Sequence, residues 1–509
     1  MTIKKNFDSD FCGSLPLHHI NSIQDYGYVL VVETKGLMIV QASENLAGLF
    51  HKDIQEIIPG PLAHYLEEAS IQKIKELIKS QLLFRIPLSL SLKQDGGSES
   101  YHALVHIKTD YLIIELEKSD QSTSRSFTEV YESIRHIGAA LDKADTVQEV
   151  CDTAITELRK LSGFDGILMY SFDKEWNGTV ISEDKDERLE QYLGQTFPAS
   201  DVPRQAREMY LKNPYRLIPN RNYQPIRLYP VINPVTNAFI DLSDCNLRGV
   251  AAVHLEYMKN MGIKASMSIR VIYNQSLWGL ISCHHIEEKY INYEICSVFE
   301  WLSELISNRL SMVLNHESHQ ESQSLQSQRQ LLSDRVYAED QLITGLLAED
   351  AAQLLSLFKA SGVVVSQNGR IESRGLVPPK DELENLLLWL EGKNFTKVFS
   401  TSQLSEDYED AAAFAAAASG LLFIPIESER AEFVVCFRPE VLQDINWGGN
   451  PNQTITFDQD GKNYHPRNSF TSWKETVREH ALSWGKEELE VAESLRTFLF
   501  EFRTRQLKH

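Results

Sequence analysis

The chain has 509 residues, 42% of them hydrophobic and 24% charged, the proportions of a water-soluble globular protein with room for roughly three or four domains. Its 50 Lys and Arg stand against 71 Asp and Glu, a net charge of −21, which argues against nucleic acid as the main partner because phosphate recognition needs clustered basic side chains. No apolar run approaches the roughly 18 residues of a membrane span, and Met1–Phe7 has no apolar stretch behind its lysines, so neither a membrane nor a signal peptide is expected.

The six cysteines, at 12, 151, 245, 283, 296 and 436, show neither CxxC pairing nor metal-ligand spacing. A reduced, cytoplasmic protein without metal is the expectation. Along the chain, Tyr28–Glu33 reads as a buried strand, Lys35-Gly36 as a turn and Leu37–Ala42 as its hairpin partner. A short helical stretch opens at Ser43-Glu44-Asn45. Strand-like runs around Ile86–Leu92 and Tyr101–Leu116 flank an Asp95-Gly96-Gly97 turn. After the polar linker 119–127, apolar residues at Val147, Val150, Ile155 and Leu158 predict a helix. Gly166–Tyr170 and Thr179–Ile181 read as strands, and Ala265–Tyr273 with Leu277–Cys283 as a hairpin across Asn274-Gln275-Ser276. Ile286–Thr344 contains no Gly and no Pro, which fits one long spine or coiled coil, or two helices with an unmarked break. Beyond it, Ala411–Ala418 is helical by propensity, Leu421–Ile426 and Ala431–Arg438 look like central strands, and Lys486–Gln506 is an amphipathic helix.

One loop stands apart. In Phe197-Pro198-Ala199-Ser200-Asp201-Val202-Pro203 two prolines bracket Ala-Ser-Asp, which forces irregular backbone around a carboxylate. Alone, such a loop more often caps a helix than builds a site. Around it stand Tyr170, Tyr210, Arg216, Arg248, His254, Tyr257, Ser266, Ser268 and the run Trp278–His285 with His284. In that order and spacing, the loop closely resembles the signature loop of the phytochrome GAF domain. The resemblance extends to nearly the whole chain as a bacterial phytochrome.

The resemblance implies an α+β chain of three sequential domains with antiparallel sheets. These are a tail with a PAS domain over 1–118, a bilin-binding GAF domain over 128–310, a connecting helix over 311–345, and a PHY domain over 330–509. The last carries a hairpin tongue at about 438–478 and a C-terminal output helix. It further implies biliverdin as the pigment, a linear tetrapyrrole with two propionates. Arg216 and Arg248 are expected to hold the propionates, since a guanidinium offers a planar fork to a carboxylate, with Tyr210, Ser266 and Ser268 as hydroxyl donors. Asp201 and His254 are expected to compensate the protonated pyrrole nitrogens, His284 to donate to a terminal carbonyl, and Tyr170, Phe197 and Tyr257, beside Val202 and Pro203, to wall the ring that rotates.

Plant and cyanobacterial phytochromes attach the pigment through a Cys directly before the His; here that position is Val253. Bacterial phytochromes use a tail Cys, and Cys12 is the candidate for a thioether. Ile23–Gly27 is similar to the family's Ile-Gln-Pro-His-Gly, with Asp25 and Tyr26 in place of Pro and His, in a tail that the family threads through a GAF loop. Ala251 stands where relatives often have Ser. Trp447-Gly448-Gly449 and Pro466-Arg467-Asn468-Ser469-Phe470 resemble the two strands of the tongue, with Arg467 expected to pair with Asp201 in the dark and Ser469 to replace it after light. The implied function is a red/far-red photoreceptor without catalytic residues of its own, a homodimer that signals to a downstream output domain or response regulator absent from this chain. A GAF/PAS sensor of a small ligand, and a bilin-binding protein without photochemistry, are the rival readings; Cys12 and Asp201 speak against them.

Overall fold

The computed structural model of the chain describes residues 20–80, 85–94, 97–119, 127–451, 456–457, 464–465, 470 and 472–507. Cys12, Pro466, Arg467 and Ser469 lie outside the described residues. The chain forms two compact units, one of Met1–Val313 with Asn446–Trp473 and one of Leu314–Ile445 with Lys474–His509. The fold is α+β throughout. Among the described residues no helix is long and apolar enough to cross a membrane.

The first unit holds strands β1 (Ser22–Ile23), β2 (Tyr28–Glu33), β3 (Met38–Ser43), β4 (Gly60–Pro61), β5 (Arg85–Gln94), β6 (Gly97–Ile107) and β7 (Tyr111–Lys118). It continues with β8 (Gly166–Phe172), β9 (Gly178–Lys185), β10 (Thr196–Phe197), β11 (Tyr215–Ile218), β12 (Ile226–Tyr229), β13 (Ala265–Tyr273) and β14 (Ser276–His285). One sheet runs β1-β12-β3-β2-β7-β6-β5, with β4 on β3. A second runs β11-β13-β14-β8-β9-β10. The run expected as one strand over Tyr101–Leu116 is two, because polar Lys108-Thr109-Asp110 turns the chain and the Lys108 N–H returns to the Tyr111 carbonyl at 2.9 Å. The β13–β14 turn is Asn274-Gln275 alone, both at positive φ, a two-residue connection that matches strand twist; Ser276 already lies in β14. The helices Glu68–Lys79, Phe127–Leu141, Arg204–Lys212 and Ala252–Asn260 are not among the elements expected from the sequence.

The long helix spans Tyr293–Glu339 without a break, 47 residues, and is shorter at both ends than the Gly- and Pro-free stretch. It stops where Asp340 turns left-handed at φ 47°. The second unit's sheet holds β15 (Gly362–Gln367), β16 (Arg370–Gly375), β17 (Phe399–Thr401), β18 (Gly420–Glu427) and β19 (Glu432–Arg438), in the order β16-β15-β19-β18-β17. Ala-rich 411–418 is not one helix: a 3-10 turn at Glu409–Phe414 precedes a single α-turn at Ala415–Ala418, with Ala411, Phe414, Ala415 and Ala418 buried. The closing helix is Lys486–Gln506, as its pattern predicts. β20 (Gln443–Gly448) follows β19.

Candidate functional site

Strand registers build the site from the sheet upward. Side chains alternate across a strand, so Ser266 and Ser268 of β13 share one face while Ala265, Met267 and Ile269 turn to the core. Across that face Arg216 of β11 stands opposite Ser268, which stands opposite Ser282 of β14, which stands opposite Leu168 of β8. In the next row Ile218 faces Ser266 and Ser266 faces His284. The sheet thus offers a stripe of guanidinium, hydroxyls and imidazole.

Over this stripe lies a cavity of about 280 Å³. All thirteen pocket residues expected from the sequence line it: Tyr170, Phe197, Asp201, Val202, Pro203, Tyr210, Arg216, Arg248, His254, Tyr257, Ser266, Ser268 and His284. Ala251 and Val253 line it too, and so does Ile20, the first described residue after the tail. Met209, Tyr192, Met261 and, from the segment after β20, Asn450 and Pro451 are among the lining residues that the sequence does not single out. Apolar residues such as Met209 and Met261 carry no signal in a sequence that separates pocket lining from core.

The Asp201 loop forms a single 3-10 turn, Ala199–Asp201, and Pro203 then caps the helix Arg204–Lys212, which supplies Met209 and Tyr210. The Tyr257 hydroxyl donates to Asp201 Oδ2 at 2.8 Å. The Tyr257 ring lies parallel to that of His254 (6.2 Å, 8°) and edge-on to Phe470 (4.9 Å, 82°). Leu168, Val180, Tyr192 and Phe470 form an apolar cluster against which Tyr170, Phe197 and Tyr257 pack. Trp447 of β20 pairs in parallel with Thr196, beside Phe197. Gly448 is required at that approach, since a Cβ would come within 2.7 Å of the Phe197 ring.

The electrostatics are unusual. Arg248 is buried and Arg216 half-buried, and among the described residues neither forms an ion pair. Burial, and then the neighbouring Arg216, push the Arg248 guanidinium down to about 9. Its Nε has no hydrogen-bond partner, and Nη1 meets only Met209 Sδ. Arg216 donates instead to the carbonyls of Asn246 (2.8 Å), Arg248 (2.5 Å) and Gly249 (3.0 Å). His254 is exposed on its cavity side. Desolvation by the protein packed around it lowers it to about 4, with Arg216 adding to the effect. His284, hydrogen-bonded to Ser282 Oγ at 3.0 Å, is likewise lowered to about 4 by burial and by His254. Both imidazoles are neutral near pH 7.

The tail meets the same region. β1 pairs with β12 on one side, while the Gly249 N–H donates to the Ser22 carbonyl (2.8 Å) and the Gln24 N–H to the Leu247 carbonyl (2.7 Å) on the other. Residues 22–24 therefore run between two limbs of one excursion, 226–229 and 246–249. Asp25, one of the two departures in this tail, accepts from the Gln224 N–H at 3.0 Å, and the other, Tyr26, packs its ring on Tyr290.

An α+β assembly whose pocket is built on a six-strand run and entered by the chain's own tail is the architecture of a ligand-holding sensory module. Family descriptions match in the same order: PAS fold over residues 12–119, GAF domain over 146–310 and Phytochrome region over 325–508. The chain is 35% identical to cyanobacterial phytochrome B of a Nostoc species over 98% of this chain and 66% of that protein. It is 32% identical to a bacteriophytochrome of Pseudomonas aeruginosa over 96% and 66%. It spans about two thirds of the length of these relatives. Among solved structures, the photosensory core module of the Stigmatella aurantiaca phytochrome superposes with a TM-score of 0.86 at 35% identity, covering 98% of this chain and 99% of that one. A bacteriophytochrome from the photosynthetic bacterium R. palustris gives 0.86 at 32%, covering 97% and 99%. The chain belongs to the phytochrome family of photoreceptors.

Proposed function

We propose that this chain is a red/far-red photosensory module that holds biliverdin in the cavity over β11, β13 and β14, with a thioether to Cys12. The observation that carries the reading is the arginine pair. A buried guanidinium without a carboxylate partner is costly in an isolated protein, and Arg248, with the half-buried Arg216 beside it, keeps a buried Nε donor without an acceptor. A ligand with two carboxylates meets that need, while the aromatic wall and the row of hydroxyls suit its rings and their polar edge. When bound, a linear tetrapyrrole supplies visible absorption and a double bond that isomerises in light.

The chain's own residues do the rest. Arg248 carries the main charge for a propionate, with Arg216, Tyr210, Ser266 and Ser268 beside it. His254 and His284, neutral in the protein alone, can each accept or donate one hydrogen bond. Asp201 is oriented by Tyr257, and Arg467 and Ser469 of the tongue are its proposed alternating partners. A tongue with two packings close in energy is a suitable switch.

The tether follows from chemistry. A thiol adding to a vinyl group must be accessible and partly ionised. The five described cysteines are all buried, and burial pushes the Cys151 and Cys436 thiols up to about 12. Cys12 is left. For partners we propose a second copy of the chain, since Trp301 and Met312 stand exposed on the long helix (47% and 63%), and an output module of the kind that longer relatives have room for.

Expression with biliverdin tests this directly. The expected result is a coloured protein whose spectrum shifts under red light, and a zinc-stained band on a denaturing gel that Cys12→Ala abolishes. A colourless product overturns the reading, and a bound pigment with no light-induced change leaves only a bilin-binding protein.

A further inference from the structure

We infer that Arg216 is a positioning residue for pigment attachment: it fixes the 246–249 limb around the tail and so sets where the tail delivers Cys12. The inference rests on the biliverdin reading above but draws on the protein alone.

A backbone carbonyl held inside a protein needs a donor. In Asn246–Gly249 four consecutive carbonyls are satisfied, three by Arg216 and the fourth, that of Leu247, by the Gln24 N–H of the tail. The same limb is held from the opposite side, where Glu115 Oε2 accepts from the Leu247 N–H at 2.6 Å and Glu115 is itself bonded to His106 at 2.7 Å. Between these two clamps the tail is seated closely. Gln24 is fully buried and donates its Nε2 to the Leu217 carbonyl, the residue after Arg216, at 3.0 Å. Gly249 admits the tail because a Cβ there would meet Ser22 Oγ at 2.6 Å and Ile20 at 3.0 Å. Ile20 in turn lines the cavity, eight residues after Cys12.

A planar guanidinium can serve three carbonyls in one limb, whereas a lysine ammonium is a point donor on a flexible stem. Arg216 therefore does work at the tail that its place in the cavity wall does not reveal. The step it serves is an addition: the Cys12 S–H adds across a vinyl C=C, one C–S and one C–H bond form, the S–H and π bonds are lost, and nothing leaves or is oxidised.

The test has one arm on the protein without pigment and one with biliverdin. Hydrogen exchange of the apoprotein, comparing wild type with Arg216→Ala and Arg216→Lys, should show faster exchange at the Gln24 and Gly249 amides in Arg216→Ala, an intermediate effect in Arg216→Lys, and none in the β13–β14 hairpin. The first-order rate of covalent attachment, followed on zinc-stained gels at saturating biliverdin so that affinity drops out, should fall by about tenfold or more in Arg216→Ala, because a misplaced reacting group loses the advantage of proximity. Gly249→Ala, which displaces the tail while keeping the Arg216 side chain, should reproduce both effects. If Arg216→Ala fails to fold, Arg216→Lys and Gly249→Ala decide alone. Unchanged tail exchange, or an unchanged attachment rate at saturation, overturns the inference. A wild type that never attaches biliverdin overturns the functional reading instead, and the exchange arm still judges the clamp.

Discussion

The Tyr257 hydroxyl donates to Asp201 Oδ2 at 2.8 Å, which ties the helix Ala252–Asn260 to the proline-bracketed loop. Tyr257 also lies against His254 and Phe470, so one side chain meets the carboxylate, the imidazole and the Phe470 ring. Tyr257→Phe keeps the ring contacts and deletes the donor. It should leave pigment attached, cost about 1–3 kcal/mol in unfolding free energy as a hydrogen bond to a charged group is lost, and reduce the amplitude of the red-minus-far-red difference spectrum. Asp201→Asn should reduce that amplitude further with the band on the zinc-stained gel intact. Normal photoconversion in both variants would remove Asp201 from the mechanism.

Arg248 should show opposite effects on the apoprotein and on pigment binding. A buried guanidinium beside a second one, with no carboxylate partner, disfavours the folded apoprotein, and Arg248→Met should raise its urea midpoint. The same variant should weaken biliverdin binding by roughly 10- to 150-fold, the equivalent of about 1.5–3 kcal/mol for a charged hydrogen bond. Methyl-esterified biliverdin should suffer a similar loss on wild type and almost none further on Arg248→Met. Fluorescence titration in a Cys12→Ala background reads all four corners of that cycle, and independent, additive losses would sever Arg248 from the carboxylate.

The lowered imidazoles set a pH dependence with a definite sign. His284 lies near 4 in the folded chain against an ordinary 6.5. Between those values the unfolded chain binds a proton that the folded chain refuses, so stability is complete above about pH 6.5 and falls as the pH drops towards 4, at up to about 1.4 kcal/mol per pH unit for this residue. His254 should add less, because its ring opens onto the cavity. Urea unfolding of the apoprotein over this range should show a shallower slope for His284→Gln than for wild type, and equal slopes would exclude His284 as the source.

Much of this site was legible because its chemistry is written in residue types that rarely occur together. Two arginines, two serines two residues apart and a Pro-Ala-Ser-Asp-Val-Pro loop point to a pocket through their joint resemblance to the phytochrome GAF domain, and a two-residue period puts Ser266 and Ser268 on one face before any coordinates exist. The hairpins were readable for the same reason, as were the strands β2, β8 and β19. Arg216 shows the limit. Its type marks an anion site, but its three bonds run to carbonyls some thirty residues away, and backbone acceptors leave no mark in a sequence. The Glu68–Lys79 helix is written in Ile71, Ile74, Leu77 and Ile78, which recur at helical spacing among five charged residues, whereas the Ala-rich segment shows that helix propensity alone is a weak guide.

The last prediction concerns the second unit, where β19 ends on Arg438 and the chain then leaves for β20. Arg438 donates to the carbonyls of Phe358 (2.7 Å), Leu482 (3.1 Å) and Ser483 (2.9 Å), and to Glu488 Oε1 at 2.7 Å, and lies 3.7 Å over the Trp484 ring. Glu488 uses its other oxygen to accept from the Gly485 N–H at 2.7 Å, at the start of the C-terminal helix. One buried ion pair thus joins the end of β19 to the start of that helix. Glu488→Gln keeps the shape and strands the guanidinium, which should cost about 3–5 kcal/mol. Lys359, 3.7 Å from the same carboxylate but largely exposed, should cost less than about 1 kcal/mol when replaced by Met. Urea unfolding followed by Trp484 fluorescence separates the two cases. Equal, small losses would mean that backbone carbonyls alone hold Arg438 and that the pair does not fasten the end of β19 to the helix.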